Sequence, residues 1–313
     1  MMEAKQKAMA SAHPSILLFL VFISSTVGGT TTCRDTCGST QLKYPFGTGP
    51  GCGSPLFTPY ISCTSNGTSD QLTLKTHTAS YPITSISYPT STLTLTPPTM
   101  STCTSMHTSP TNFGLDWATP FQITSTTFIL LSCQPPIKAT PICDPSLDYL
   151  CASIYTCPSV VSLGMPLFPP ANTCCVYSPA NLDGKGELDL QAMKCGGYAS
   201  VVSLGDTPTD PTHWVYGVNL KFSYGALQSN YVTSKCNTCE YSGGICGYAT
   251  PGDAFVCVCK GGYNTSLDCS NNGFNQNQLQ DYLWDSFSSP TMSAPASGYV
   301  WSYILAGIAS SLF

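Results

Sequence analysis

Charged side chains are scarce in this sequence. Asp, Glu, Lys and Arg make up 9% of its 313 residues, against about 25% in an ordinary soluble domain. Lys and Arg together number 11, against 16 Asp and Glu, and Arg34 is the only arginine. This shortage of clustered positive charge argues against a nucleic-acid-binding protein, because such proteins depend on neutralising phosphates.

Catalytic motifs are also missing from the printed sequence. It has four histidines, at positions 13, 77, 107 and 213, but neither an H-E-x-x-H nor a G-x-S-x-G motif. No glycine-rich phosphate loop follows a strand and opens a helix, and the kinase elements H-R-D and D-F-G are absent. We therefore expect a chain that is not an enzyme, has no catalytic residues and needs no cofactor.

Cysteine is abundant by contrast. The chain has 18 cysteines, an even number that predicts disulfides and an oxidising, extracellular compartment. They fall into three blocks of six: Cys33, Cys37, Cys52, Cys63, Cys103 and Cys133; Cys143, Cys151, Cys157, Cys174, Cys175 and Cys195; Cys236, Cys239, Cys246, Cys257, Cys259 and Cys269. Each block could close its own bridges, but six cysteines allow about 15 pairings, so the sequence leaves connectivity open. Zinc ligation by the third block is the less favoured alternative, and we expect no metal.

Short alternating segments predict strands. Residues 72–74, 93–95 and 214–222 alternate apolar and polar side chains, and 128–131 is a candidate buried strand. Segment 81–88 is rich in β-branched and hydroxyl residues, and its Pro82 predicts an edge strand. One brief segment, 187–193, is predicted to be helical. The expected fold is mainly β with little helix, in small disulfide-rich modules arranged in tandem.

The start of the chain carries a secretion pattern. Residues 1–29 combine two early lysines with an apolar run over 16–23, which predicts a signal peptide cleaved after Gly29. In a secreted chain, the N-x-S/T sequons at Asn66 and Asn264 predict glycosylation.

The end of the chain carries an anchor pattern. Residues 299–313 form an apolar tail, and 270–298 form a predicted flexible stalk rich in Ser and Pro. Small residues, a polar spacer and an apolar tail predict a GPI anchor attached at Ser288, with Ser293 as the second choice. The alternatives are a true or truncated membrane span and a tail that packs against the protein. Either anchor places the chain at the plasma membrane, facing outward.

Two stretches of the sequence resemble one known family. C-R-D-T-C-G at 33–38, L-K-Y-P-F-G at 42–47 and G-C-G at 51–53 resemble the galacturonan-binding domain of plant wall-associated receptor kinases. G-V-N-L-K-F at 217–222 and the cysteine run over 236–259 resemble the C-terminal wall-associated region of the same receptors.

The resemblance implies a division of the chain. The expected parts are a galacturonan-binding-like domain over 30–133, a second cysteine-rich β region over 134–235 and an EGF-like module over 236–269. An EGF-like module implies three disulfide pairs: Cys236–Cys246, Cys239–Cys257 and Cys259–Cys269.

The resemblance also implies that the chain binds cell-wall pectic polysaccharide. Galacturonan is a polyanion, and its carboxylates favour basic side chains. Residues 33–133 are neutral overall while the later parts are acidic, so the candidate ligand-binding cations are Arg34, Lys43 and Lys75. Aromatic residues there could stack on sugar rings or simply pack in the core, and we single out Tyr44 and Phe46 among Tyr44, Phe46, Phe57, Tyr60, Tyr81 and Tyr88. The alternative function is an extracellular protein-interaction module, either a co-receptor or decoy or a truncated receptor-kinase ectodomain, that binds a peptide or a receptor ectodomain.

Overall fold

The structure is a computed structural model that describes residues 33–270 apart from 66, 136–141, 178–181 and 225–229. The predicted signal peptide, the apolar tail, Asn66, Ser288 and Ser293 lie outside the described residues. Among the residues that are described, no helix combines the length and the apolar character needed to cross a membrane.

Short strands dominate the described chain. The strands are β1 (Thr36–Cys37), β2 (Thr40–Gln41), β3 (Ile61–Ser65), β4 (Asp70–Lys75), β5 (Ser80–Ser87), β6 (Thr92–Leu95), β7 (Phe113–Gly114), β8 (Phe121–Ile123), β9 (Thr127–Cys133), β10 (Cys175–Tyr177), β11 (Glu187–Leu188), β12 (Cys195–Ser203), β13 (Val215–Tyr216), β14 (Val218–Phe222), β15 (Ile245–Ala249), β16 (Ala254–Val258) and β17 (Asn264–Thr265). The helices are α1 (Asp148–Ile154) and α2 (Asn230–Tyr241), with 3-10 turns at Pro145–Leu147, Pro158–Leu163 and Pro211–His213. The prediction of a mainly β, disulfide-rich fold with little helix is confirmed.

Two antiparallel sheets form the centre of the molecule. The larger has the order β3-β4-β5-β6-β14-β8, and the smaller has the order β10-β9-β12-β13. The predicted strands at 72–74, 93–95 and 128–131 lie in β4, β6 and β9. Inward side chains of both sheets, such as Leu74, Leu95 and Phe128, share one core cluster.

Strand β9 is covered on both faces. Phe128 and Leu130 point into the core shared by the two sheets. Ile129 and Leu131 alternate with them and pack in a second cluster with Ile154 of α1. All four side chains have 0% exposure, which explains the continuous apolar run, because a strand buried on both faces does not alternate in polarity.

Pro82 lies in the middle of the larger sheet, so the prediction of an edge strand is wrong. Strand β5 changes partners at this point: Ser80, Tyr81 and Pro82 pair with β4, and the pairing with β6 begins at Ile83. Each half of β5 is therefore hydrogen-bonded mainly on one side. The missing N–H of proline is tolerated because an irregularity in register already interrupts the ladder next to it.

The helix predicted at 187–193 is also wrong. Glu187 and Leu188 form β11, paired with β7. Leu188 and Leu190 are buried while Glu187 and Asp189 are only partly covered, which is the period of a strand. The Asp189 carboxylate then accepts the backbone N–H groups of Gln191 (3.1 Å) and Ala192 (3.0 Å) and turns the chain.

The predicted strand at 214–222 divides between the two sheets. Val215 and Tyr216 pair with β12, whereas β14 lies between β6 and β8. Gly217 separates them with a φ of 150°. The larger sheet thus combines strands from 61–95, 121–123 and 218–222, so it extends across the boundary expected at residue 133.

Nine disulfides join all 18 cysteines. The third block closes on itself as Cys236–Cys246, Cys239–Cys257 and Cys259–Cys269, so the EGF-like pairing is confirmed. The first two blocks share two bridges, and their six pairs are Cys33–Cys52, Cys37–Cys63, Cys103–Cys157, Cys133–Cys195, Cys143–Cys175 and Cys151–Cys174. The sulfurs proposed as zinc ligands are therefore held in disulfides.

The last module packs against the start of the described chain. Gly53 donates its N–H to the Cys246 carbonyl at 2.8 Å, and Tyr248 donates to the Gly51 carbonyl at 2.9 Å. Cys52 and Gly247 form an isolated antiparallel bridge between these two contacts. A segment near the start of the described chain therefore contacts a segment near its end.

Candidate functional site

A small hairpin brings two of the predicted basic residues together. Strands β1 and β2 pair Thr36 with Gln41, and Leu42 donates its N–H to the Asp35 carbonyl at 2.8 Å. The next positions in this register are Arg34 and Lys43, which both have exposed side chains. The open base of the hairpin, defined by Arg34 and Lys43 and called the basic hairpin base below, thus carries two exposed cations at facing register positions.

Contacts with the larger sheet hold the hairpin in place. The Tyr88 hydroxyl accepts the Lys43 N–H at 2.8 Å and donates to the Gln41 carbonyl at 3.1 Å. Burial raises the pKa of Tyr88 to about 12, so this hydroxyl keeps its proton. The cations are therefore attached to a fixed scaffold and not to a free loop.

Arg34 has an internal counter-ion. Its Nη1 lies 3.1 Å from Asp70 Oδ2, and the two side chains are 61% and 35% exposed. An ion pair this open to water contributes little stability. The remaining guanidinium N–H groups are free to meet an anion, although Asp70 reduces the local positive charge.

Lys75 lies away from the other two cations. Asp70 and Lys75 are the first and last residues of β4, and five steps of a strand span about 17 Å. Lys75 is exposed, but it stands at the opposite end of the strand from the Arg34–Asp70 pair. Of the three predicted basic residues, only Arg34 and Lys43 therefore lie at the same hairpin.

Phe46 is a core residue. It is 2% exposed and contacts the rings of Phe57, Phe121 and Phe222 at centroid distances of 5.4, 6.4 and 4.8 Å. No face of this ring is left for a sugar. Phe46 therefore cannot stack on a sugar ring in this structure, contrary to the prediction.

Tyr44 is buried too, at 9% exposure, and stacks on Tyr224 with ring centroids 6.0 Å apart. Burial raises its pKa to about 12. Its backbone N–H donates to Glu240 Oε1 at 2.6 Å, which ties the hairpin to α2. Tyr44 therefore joins the hairpin to the last module and offers no ring face to a ligand.

A groove that the sequence did not predict lies between the β7–β8 connection and the turn before β11. Its volume is about 540 Å³, with Leu115 and Phe121 at its base and Leu182 on its wall. Trp117 stands on its rim and is 79% exposed. The sequence carries no clear signal for this groove, because the D-W-A-T-P stretch at 116–120 does not show whether its tryptophan is buried or exposed.

A histidine joins two carboxylates beside this groove. His77 Nδ1 lies 2.7 Å from Asp116 Oδ1, and Nε2 lies 3.1 Å from Glu187 Oε1. The His77 backbone N–H also donates to Asp116 Oδ1 at 2.7 Å. The hydrogen bond to Asp116, supported by Glu187, raises the pKa of His77. The sequence alone does not indicate this cluster, because the two partners of His77 lie 39 and 110 positions away along the chain.

Asn264 is the one sequon asparagine that the structure describes. It lies in β17 with an exposed side chain, which is the accessibility that a glycan requires.

Comparison with known proteins agrees with the two stretches of resemblance. A family model for the wall-associated receptor kinase galacturonan-binding domain matches residues 33–97, and a model for the wall-associated receptor kinase C-terminal domain matches residues 203–262. Neither is a catalytic domain. Wall-associated receptor kinase-like 20 of Arabidopsis thaliana is 29% identical over 181 residues, which cover 56% of this chain and 25% of that protein.

The chain therefore matches only a quarter of the length of that relative. No solved structure matches the chain. The matched models and the nine disulfides agree with an extracellular, wall-associated location. Residues 33–97 are therefore similar to the galacturonan-binding domain of wall-associated receptor kinases and residues 203–262 to their C-terminal domain, and the chain is distantly similar to the kinase-like protein.

Proposed function

We propose that this chain is a non-enzymatic extracellular protein that binds pectic galacturonan through the basic hairpin base. The observation that carries the proposal is the match of residues 33–97 to the galacturonan-binding family. The hairpin with Arg34 and Lys43 lies inside that segment, and both side chains are exposed.

The charge of the site suits a carboxylated polymer. Arg34 can donate two parallel hydrogen bonds to one carboxylate, and Lys43 lies beside it as a second cation. Asp70 offsets part of the charge at 3.1 Å from Arg34, so binding is expected to be weak and to fall steeply as salt screens the exposed cations. A polymer with many carboxylates compensates through repeated contacts.

The test uses the full disulfide-bonded chain and immobilised, de-esterified polygalacturonate at low salt. The double variant Arg34→Ala/Lys43→Ala should lose at least tenfold in affinity, because about 1.4 kcal/mol, the scale of one charge-assisted hydrogen bond, corresponds to tenfold. Lys221→Ala/Lys260→Ala is the matched control, since it removes two exposed charges elsewhere and should bind like the wild type.

Lys75→Ala separates two sizes of site. If galacturonan contacts only the basic hairpin base, this variant should bind with wild-type affinity. If the polysaccharide also runs along β4 to Lys75, the variant should bind more weakly. The proposal is overturned if the wild type does not bind at low salt, or if both double variants lose affinity equally. The first of these results would favour the alternative of a protein-interaction module.

A further inference from the structure

We propose that the groove beside Trp117 is a second binding site, which takes uncharged pyranose units of a polysaccharide. Trp117 lies outside both segments that match known families, 33–97 and 203–262. The inference is therefore independent of the galacturonan site proposed above.

The ring of Trp117 is the platform of the site. An indole that is 79% exposed is a large apolar surface left in contact with water, on the rim of a groove of about 540 Å³. Pockets that hold small ligands usually measure about 300–1,000 Å³. The electron-rich face of an indole attracts the weakly positive C–H groups on the face of a pyranose ring.

The groove also offers hydrogen-bonding groups for sugar hydroxyls. Thr119 and Gln122 line it together with Asp116 and Asp183. Each carboxylate uses one oxygen internally: Asp116 Oδ1 faces His77, and Asp183 Oδ1 accepts the N–H groups of Lys185 and Glu187 at 2.8 and 2.9 Å. Asp116 Oδ2 makes neither of the contacts with His77, so it can accept from a hydroxyl.

The balance of charge selects an uncharged ligand. Asp116 and Asp183 line the groove and none of the lining residues is basic, so a sugar carboxylate would find no cation among them. A cationic ligand gains little as well, because His77 already lies between Asp116 and Glu187 at 2.7 and 3.1 Å, and Lys185 follows Asp183 in the same turn. The remaining attractive interactions are stacking on Trp117 and hydrogen bonds to hydroxyl groups, and a neutral sugar can make both.

The experiment measures binding of the full chain to four soluble probes by calorimetry. These are a β-1,4-linked galacto-oligosaccharide, a cello-oligosaccharide, a fully methyl-esterified oligogalacturonide and a de-esterified one. At least one uncharged probe should bind, and Trp117→Ala should weaken it at least tenfold while Trp117→Tyr retains most of the affinity. Phe168→Ala is the matched control, because Phe168 is 75% exposed and lies outside the groove lining.

A charge variant tests the selectivity. Asp116→Asn/Asp183→Asn keeps the acceptor oxygens but removes the two charges, so it should gain at least several-fold in affinity for the de-esterified probe through Trp117. Circular dichroism confirms that each variant is folded. The proposal is overturned if no uncharged probe binds, if Trp117→Ala binds as well as the wild type, or if oligolysine binds through Trp117 in preference to the sugars.

Discussion

At the scale of the residue, His77 connects three parts of the chain that are far apart in sequence. It lies in the turn between β4 and β5, contacts Asp116 after β7 and contacts Glu187 of β11. Because its pKa is raised above 6.5 mainly by Asp116, the protonated form is favoured by folding. This stabilisation is complete below the pKa of the unfolded chain and disappears as the pH rises through the folded value.

The variant His77→Gln should therefore destabilise the protein more at pH 5 than at pH 9. The ring is 41% exposed, so solvent screening limits the difference to about 1 kcal/mol or less. Chemical denaturation of both proteins, with disulfides intact, measures the free energy of unfolding at the two pH values.

His107→Gln is the control, because the His107 ring contacts the Pro98 carbonyl at 3.2 Å and not a carboxylate. An equal loss at both pH values for His77→Gln would show that the ion pairs with Asp116 and Glu187 add nothing to stability.

At the scale of the element, Gly217 lets one stretch of chain serve two sheets. Its φ of 150° is open to glycine but strained for other residues. An added Cβ would lie 2.8 Å from Thr94 Cγ2 and 2.9 Å from the Leu95 carbonyl oxygen. The second of these atoms is backbone of β6 and cannot move without disturbing the larger sheet.

Gly217→Ala should therefore lower the free energy of unfolding by about 2 kcal/mol or more, through backbone strain and the clash with β6. Gly184→Ala is the matched control, since no atom lies within 4 Å of its added Cβ, and it should change stability by less than about 0.5 kcal/mol. Thermal or chemical unfolding of both variants decides between strain at this site and a general cost of replacing glycine. Equal stability of the two would contradict the role given to Gly217.

The elements that the sequence predicted correctly are those with a regular apolar pattern. Strands β4, β6 and β9 keep the apolar period of a half-buried or fully buried strand, so local pattern and final structure agree. Helix α2 was missed because its sequence is polar, and its buried cysteines 236 and 239 are fixed by disulfides to β15 and β16. A cross-link between distant segments leaves no periodic signal in the sequence.

The candidate sites could also be predicted from the sequence only in part. The basic residues Arg34, Lys43 and Lys75 could be named from charge alone. The sequence does not show that Arg34 pairs with Asp70 at one end of β4 while Lys75 lies at the other. Phe46 and Trp117 have opposite exposures, 2% and 79%. The order of aromatic residues in a chain does not distinguish a core ring from a surface ring when both stand in short turns.

At the scale of the whole molecule, the first two cysteine-rich regions form one interleaved unit. Strand β14 completes the larger sheet between β6 and β8. Cys133–Cys195 and Cys103–Cys157 close loops that cross the expected boundary. A galacturonan-binding segment cut at residue 133 would lose a central strand and two disulfide partners.

The isolated fragment 30–133 should consequently fail to fold cooperatively. Without β12 and β14, the backbone N–H and C=O groups along one edge of β9 and of β6 lose their partners, and Cys103 and Cys133 have no native partners. Near-ultraviolet circular dichroism and a thiol assay compare the fragment with the full chain, which should show fixed aromatic signals and no free thiols. A fragment with a sharp unfolding transition would establish 30–133 as an autonomous domain.

The contact between residues 51–53 and 246–248 has a mechanical consequence. A tensile load applied between the basic hairpin base and residue 270 enters through the Cys33–Cys52 disulfide. It crosses to the last module over the hydrogen bonds of Gly53 and Tyr248 and continues through that module's own disulfides. The Tyr44 N–H bond to Glu240 crosses to α2 in parallel. Tyr88 and the Cys37–Cys63 disulfide also attach the hairpin to the larger sheet, so a pull on the hairpin divides between the last module and that sheet.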